Sequence, residues 1–307
     1  MKTNYLLFIF TLFFLACQAQ QEAKSQEKDA YLDIVNGDSL MKEFNDGEIL
    51  STVLQSMTSP LEISELVQKS VKKIDTNNLC VISNNYQTNN QKALAMGIYA
   101  VNFGYCNMYG LQEKQISYLK EIERLADELD IKNHIQFDSI YKNSKENNLE
   151  ALINEMQRGF EKIANNNKTG QQNYESFLLL VSFWVEANYQ TLLLYDKLQK
   201  EKTDTAVVKQ WKDRIGEQKI TIEMLSLVVA LFKPYDRNRY IGNDIKELQK
   251  NYETITIITK VEPTCRGMGR GDCVLLETPT ESIVKISDTT ISKIFEKIKE
   301  IRSKIVK

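Results

Sequence analysis

The chain holds one histidine, four prolines and twelve glycines in 307 residues. One imidazole excludes every centre that needs two, including the His-Glu-x-x-His zinc motif and the paired Glu-x-x-His ligands of di-iron bundles. No Cys-x-x-Cys occurs, which removes a thioredoxin site and a zinc ribbon. A Gly-x-Ser-x-Gly nucleophile elbow is also missing. With a net charge of −2 the chain has no basic field, and no nucleic-acid partner is expected. Scarce glycine and proline mean few turns per residue, which favours long helices over many short strands. The apolar share of 42% is ordinary for a globular protein and supplies a sizeable core, so the chain is not wholly disordered.

What is present begins with an address. Lys2 precedes a run from Tyr5 to Ala16 that is apolar apart from Thr11. The run is shorter than the about 20 residues a bilayer span needs, so residues 1–16 are expected to be a signal peptide. Phe14-Leu15-Ala16-Cys17 resembles the lipobox of bacterial lipoproteins, departing at position 14, where that family prefers leucine. The resemblance implies cleavage before Cys17 and acylation of its sulfur and its new amine. Each buried methylene contributes about 0.8 kcal/mol, so several acyl chains hold a protein to a bilayer without a span. Gln18 in place of Asp implies, by similarity to proteobacterial sorting, the outer membrane. Gln18-Ala-Gln-Gln-Glu22 resembles the surface-export signal of Bacteroidetes lipoproteins with its acidic pair delayed, which leaves both the periplasmic face and the surface open. Residues 18 to 30 carry no large apolar side chain and cannot offset their ordering entropy. Residues 17–45 are thus expected to be an acylated, flexible tether, giving the body roughly 30 Å of freedom.

The body reads as helices. No proline lies between Pro60 and Pro234, and that interval is dense in 3.6-residue periodicity. Stripes run through Ile63–Ile74, Leu94–Met108, Ile116–Leu129, Leu149–Ile163, Phe177–Val185, Val208–Phe232, Ile241–Ile255 and Ile291–Ile305. Gly110 is a stop between two helices so close in sequence that they must be antiparallel neighbours. Gly97 and Gly104 cost helix propensity and point to close helix packing. Phe177–Val185 is apolar nearly all round and is expected to be a central helix rather than a membrane span, because Glu186 and Asn188 interrupt it. Asp204 and Asp288 are expected N-caps. The Val208–Phe232 stripe is broken only by Gln218. Thr254–Val261, Cys273–Leu276 and Ser282–Ile286 are β-branched and strand-like, predicting a hairpin or three-strand ribbon.

Thr58-Ser-Pro-Leu-Glu-Ile63, Lys69-Ser70, Lys92-Ala-Leu-Ala-Met-Gly-Ile-Tyr99 and Leu125-Ala-Asp-Glu-Leu129 resemble a group of helical outer-membrane lipoproteins of similar length from Bacteroidetes. The likeness runs over residues 55–307 and implies an acylated, all-helical periplasmic or surface protein. It brings no established activity and no site residues.

Among candidate chemistry, Cys265 and Cys273 enclose seven residues and are a possible disulfide in an oxidising compartment. Their loop carries Arg270-Gly271-Asp272, a weak adhesion candidate. Glycines 267, 269 and 271 do not open a helix after a strand as dinucleotide loops require, and no cofactor is expected. Cys80 and Cys106 read as core thiols, with a bridge between them as the alternative. His134 lies in a polar link and reads as a surface or capping residue. Asp236, Asn238 and Glu247 match positions 1, 3 and 12 of a calcium loop, but Ile241 stands where its glycine must be, so no metal is expected. Glu121–Asp130 reads as a solvated helix face. Tyr99, Tyr105, Tyr109 and Tyr118 either line a groove or sit at the core boundary.

These readings combine into a monomeric all-α protein, an antiparallel bundle of about seven to nine helices. A small β-hairpin insert at about 254–286 precedes the last helix, all within one domain at 46–307. No catalytic motif is present. The expected function is a non-enzymatic binding or scaffolding role in the cell envelope, with the lipid bilayer as one partner through acylated Cys17 and an envelope protein, peptide or glycan as the other. The alternatives are an enzyme with a carboxylate-only site acting on envelope polymers, and an adhesin using the Cys265–Cys273 loop. Two facing carboxylates in a cleft favour the enzyme; a tyrosine-lined groove favours binding.

Overall fold

The computed structural model describes residues 46–57, 60–71, 75–167, 169–201, 203–236, 240–267 and 273–306. Among them are ten α-helices: α1 (Asp46–Ser56), α2 (Pro60–Ser70), α3 (Asn89–Met108), α4 (Gln112–Glu128), α5 (Phe137–Lys145), α6 (Leu149–Asn166), α7 (Gly170–Lys200), α8 (Thr205–Leu231), α9 (Tyr240–Tyr252) and α10 (Asp288–Ile305). Strands β1 (Thr256–Gly267) and β2 (Cys273–Lys285) pair as a two-stranded sheet just before α10. The all-helical body and the hairpin are as expected. The short helices α1 and α5 are the two that no stripe announced. Asp46–Ile257 and Glu281–Lys307 form one helical unit; Ile258–Thr280 belongs to a second.

Helix ends follow local chemistry. Thr88, Asn148, Thr169, Asp204 and Ser287 each accept a backbone N–H of the first turn. The cap of α10 is therefore Ser287 and not Asp288. Asp288 is instead the first helical residue, and its carboxylate accepts from Tyr195 at 2.8 Å and pairs with Lys212 at 2.7 Å. Three helices end in one way. After α3, Gly110 (φ 65°) turns left-handed, and the Leu111 N–H reaches the Cys106 carbonyl at 2.9 Å. Asp130 and Asn147 hold the same conformation after α4 and α5, with Ile131 N–H on Ala126 O and Asn148 N–H on Asn143 O. These 6→1 bonds satisfy carbonyls the helix leaves unpaired, and they reverse the chain within a few residues.

The core centres on α7. Phe177, Leu178, Val181, Trp184 and Val185 are all 2% exposed or less. This helix is long and apolar enough to cross a membrane, yet 72% of its apolar window is buried inside the protein, so its apolar face is used up by neighbouring helices. It packs on α3, α8 and α10. Gly97 of α3 makes the closest approach: a Cβ there would stand 2.4 Å from the Leu179 carbonyl. Gly104, one heptad on, faces no atom within 4 Å, so the close packing expected of both glycines holds for one. Ile291, Ile294, Ile298, Ile301 and Ile305 of α10 are all buried, each contributing about 1.5–3 kcal/mol. Gln218, the break in the α8 stripe, is buried because its Oε1 accepts the Trp184 indole N–H at 2.9 Å.

Candidate functional site

A cleft of about 790 Å³ opens at the start of α3 and α7, with Tyr235 and Asp236 after α8 on a third side. That volume is within the range of small-ligand sites. The caps Thr88 and Thr169 fix where the two helices begin, and so place Asn89, Asn90 and Gln171 on their first turns at the rim. Gly170 lacks the side chain that would collide with the Tyr235 ring, a Cβ there standing 2.0 Å from the Tyr235 oxygen. Tyr235 therefore lies over the start of α7 with 36% of its surface exposed. It stacks on buried Tyr174 (centroids 6.4 Å, planes 25° apart), which meets Phe177 and Phe232 below.

Polar groups surround this ring stack. The Gln171 side-chain amide donates to Asn90 Oδ1 and to Glu175 Oε1, both at 3.1 Å. Asp236 lines the same cleft and accepts the Gly242 backbone N–H at 3.2 Å. No lysine or arginine is among the described lining residues.

No family model, curated protein or solved structure matches the chain. The cleft is therefore read from its own chemistry. Its described lining has aromatic, amide, hydroxyl and carboxylate groups. Among the described residues, no group of three or more His, Cys, Asp or Glu stands where it can hold a metal ion.

A second polar cluster lies inside the bundle. Glu186 of α7 is fully buried and accepts from Asn102 of α3 at 2.8 Å, Gln190 at 2.9 Å and Arg302 of α10 at 2.5 Å. Asn102 also accepts the Cys80 backbone N–H at 3.0 Å, tying the segment before α3 to the same centre. Arg302 covers the Tyr189 ring at 4.1 Å. Burial opposes the guanidinium charge, and the hydrogen bonds and charge of Glu186 more than reverse that. With every partner satisfied and no opening to solvent at Glu186, this cluster serves the fold.

The sequence candidates scatter. Cys17 and Arg270, Gly271 and Asp272 lie outside the described residues. Cys265 and Cys273 fall in β1 and β2, with their side chains outside the described set. Tyr99, Tyr105 and Tyr118 are buried and do not line a groove; the Tyr118 hydroxyl donates to the Cys80 carbonyl, and Tyr109 donates to the Val71 carbonyl at 3.1 Å. His134 ends a 3-10 turn, Lys132–His134. Glu247 pairs with Lys297 and not with a cation loop. In the acidic stretch, Arg124 bridges Glu121 and Glu128, which Lys92 also meets. The cleft residues Tyr235, Gln171 and Glu175 carried no motif; the one local hint was an aromatic beside Pro234, just past the end of the Val208–Phe232 stripe.

Cys80 and Cys106 are free and buried. Burial pushes both thiols from 9.0 up to about 12, with the charge of Glu186 adding to the effect at Cys80. Unfolded thiols ionise near 9.0 while folded ones stay protonated. Their contribution to stability is therefore complete below about pH 9 and declines as pH rises from there to about 12. At pH 8, in the native protein, an aromatic disulfide reagent should leave both unmodified by peptide mapping, and in denaturant both should react. Fast native modification of either one overturns the assignment.

Proposed function

We propose that this chain is an acylated lipoprotein of the bacterial outer membrane, held through Cys17, with a non-enzymatic binding role carried by the cleft around Tyr235. The address is supported by the cysteine at the end of the N-terminal apolar run and by the resemblance to helical Bacteroidetes lipoproteins. The binding role is supported by one observation above the rest: a partly exposed tyrosine ring, packed on an aromatic base, that lines a cleft of about 790 Å³. The described lining supplies a stacking surface and hydrogen-bonding groups.

Two experiments test the two halves. Cells fed an alkyne fatty acid should label the wild-type protein and not Cys17→Ala; equal label in the variant removes the anchor. A photoreactive residue at Gln91, on the cleft rim, should crosslink an envelope component that the same residue at Lys209, on α8, does not. Identical products from both positions remove the cleft as the binding site. Two carboxylates, Glu175 and Asp236, line one cleft, and that favours a second reading as an enzyme on envelope polymers. Glycan chain shortening that disappears in Glu175→Gln/Asp236→Asn would establish it.

A further inference from the structure

We infer that Gly170 is the positioning residue of the cleft: the side chain it lacks is the seat of Tyr235, and binding turns on that seat. This rests on the binding role above and deepens it. Glycine at 170 has no local cause. Thr169 supplies the cap of α7 by accepting the Gln172 N–H, and a capped helix needs no glycine at its first residue. Gly170 is not among the residues with left-handed backbone, where glycine is needed. Alanine there would favour the helix and leave the unfolded chain less freedom to lose.

Space supplies the cause. The three nearest atoms that a Cβ at 170 would meet all belong to Tyr235: its oxygen, Cζ and Cε2, the last at 2.9 Å and the other two closer. Gly97 differs, because its neighbours include the backbone of α7 and the missing side chain there serves helix packing. At Gly170 the obstacle is the far end of one partly exposed side chain. A methyl group there does not push helices apart; it turns a ring. Tyr235 rests with its face on Tyr174 and its edge to Phe232 (centroids 6.4 Å, planes 60° apart). Moving off Gly170 forfeits those contacts and changes the wall of the cleft that Tyr235 lines. A ring held by packing loses little freedom when a ligand arrives, whereas a displaced ring must first be reordered, and apparent affinity falls by the fraction that is out of place. Gly170 thus acts through Tyr235, on binding and not on the fold.

Fluorotyrosine incorporated at position 235 reports the seat, read by fluorine NMR on the full protein in detergent micelles. Gly170→Ala should move that resonance and leave the thermal midpoint within about 2 °C of wild type, because the helix gains what the ring loses. A photoreactive residue at Gln91 reports binding in intact cells. Its envelope crosslink should fall about fivefold in Gly170→Ala and about as far in Tyr235→Ala. Added to Tyr235→Ala, where the space is empty, Gly170→Ala should instead raise the midpoint by about 1–3 °C. An unmoved resonance in Gly170→Ala overturns the seat. So does a midpoint that Gly170→Ala lowers as far with Tyr235→Ala as without it, since the glycine then serves packing elsewhere. A moved resonance with the crosslink at full strength overturns Gly170 as a positioning residue and leaves the binding role standing. No Gln91 crosslink in the otherwise wild-type protein removes the binding role, and the inference with it.

Discussion

Arg302→Met should lower the unfolding free energy by about 3–5 kcal/mol, measured by urea denaturation. The substitution keeps much of the side-chain volume and removes the charge that meets Glu186 at 2.5 Å. Glu186 has no exposed surface, so water cannot replace the guanidinium. Asn102 and Gln190 still donate to it, but two neutral amides do not balance a buried carboxylate. A double variant, Glu186→Gln/Arg302→Met, should recover much of the loss, since no unpaired charge then remains. The cycle separates the two costs: if Arg302→Met alone costs under about 1 kcal/mol, the pair behaves as a surface ion pair and the buried centre is misassigned.

Gly97→Ala should cost about 3 kcal/mol, at the upper end for over-packing. The added methyl would lie 2.1 Å from Ser182 Oγ, 2.4 Å from Leu179 O and 2.7 Å from the Phe183 backbone nitrogen. The serine side chain can swing away, but the other two atoms belong to the α7 backbone. Relief therefore means moving α3 off the central helix along their shared face. Gly104→Ala is the control, on the same helix with nothing within 4 Å. It should stabilise by about 0.5–1 kcal/mol through helix propensity alone. Equal effects of the two substitutions, read as shifts in the thermal midpoint, would exclude the close α3–α7 approach.

These two cases also mark how far the amino-acid order could be read. Helices announced themselves where a stripe was long and its ends were capped. The isoleucines of α10 and the Asp204 cap are examples, the latter accepting the Ala206 N–H at 2.7 Å. Helix α5 has nine residues, too few for its period to stand out; α1 is as long as α2 but lacks a start signal like the proline that opens α2. At α10, serine and aspartate are adjacent and both are good caps; only the backbone decides that Ser287 is the extended one. Gly97 and Gly104 look alike in the chain, because what distinguishes them is an atom of another helix. Glu186 registered as a polar break in an apolar run, but its partner is 116 residues away and nothing local pairs them. The cleft was hidden for the same reason. Its ring comes from the α8–α9 link and its amides from the first turns of two other helices.

The Glu186–Arg302 pair also ties distant stretches of the chain into one cooperative unit. Arg302 lies in the last turn of α10, and its carboxylate partner sits on the central helix 116 residues earlier. Until α10 docks, that carboxylate has no cation to meet it, so α7 and α10 are expected to lose protection from amide exchange together and not one by one.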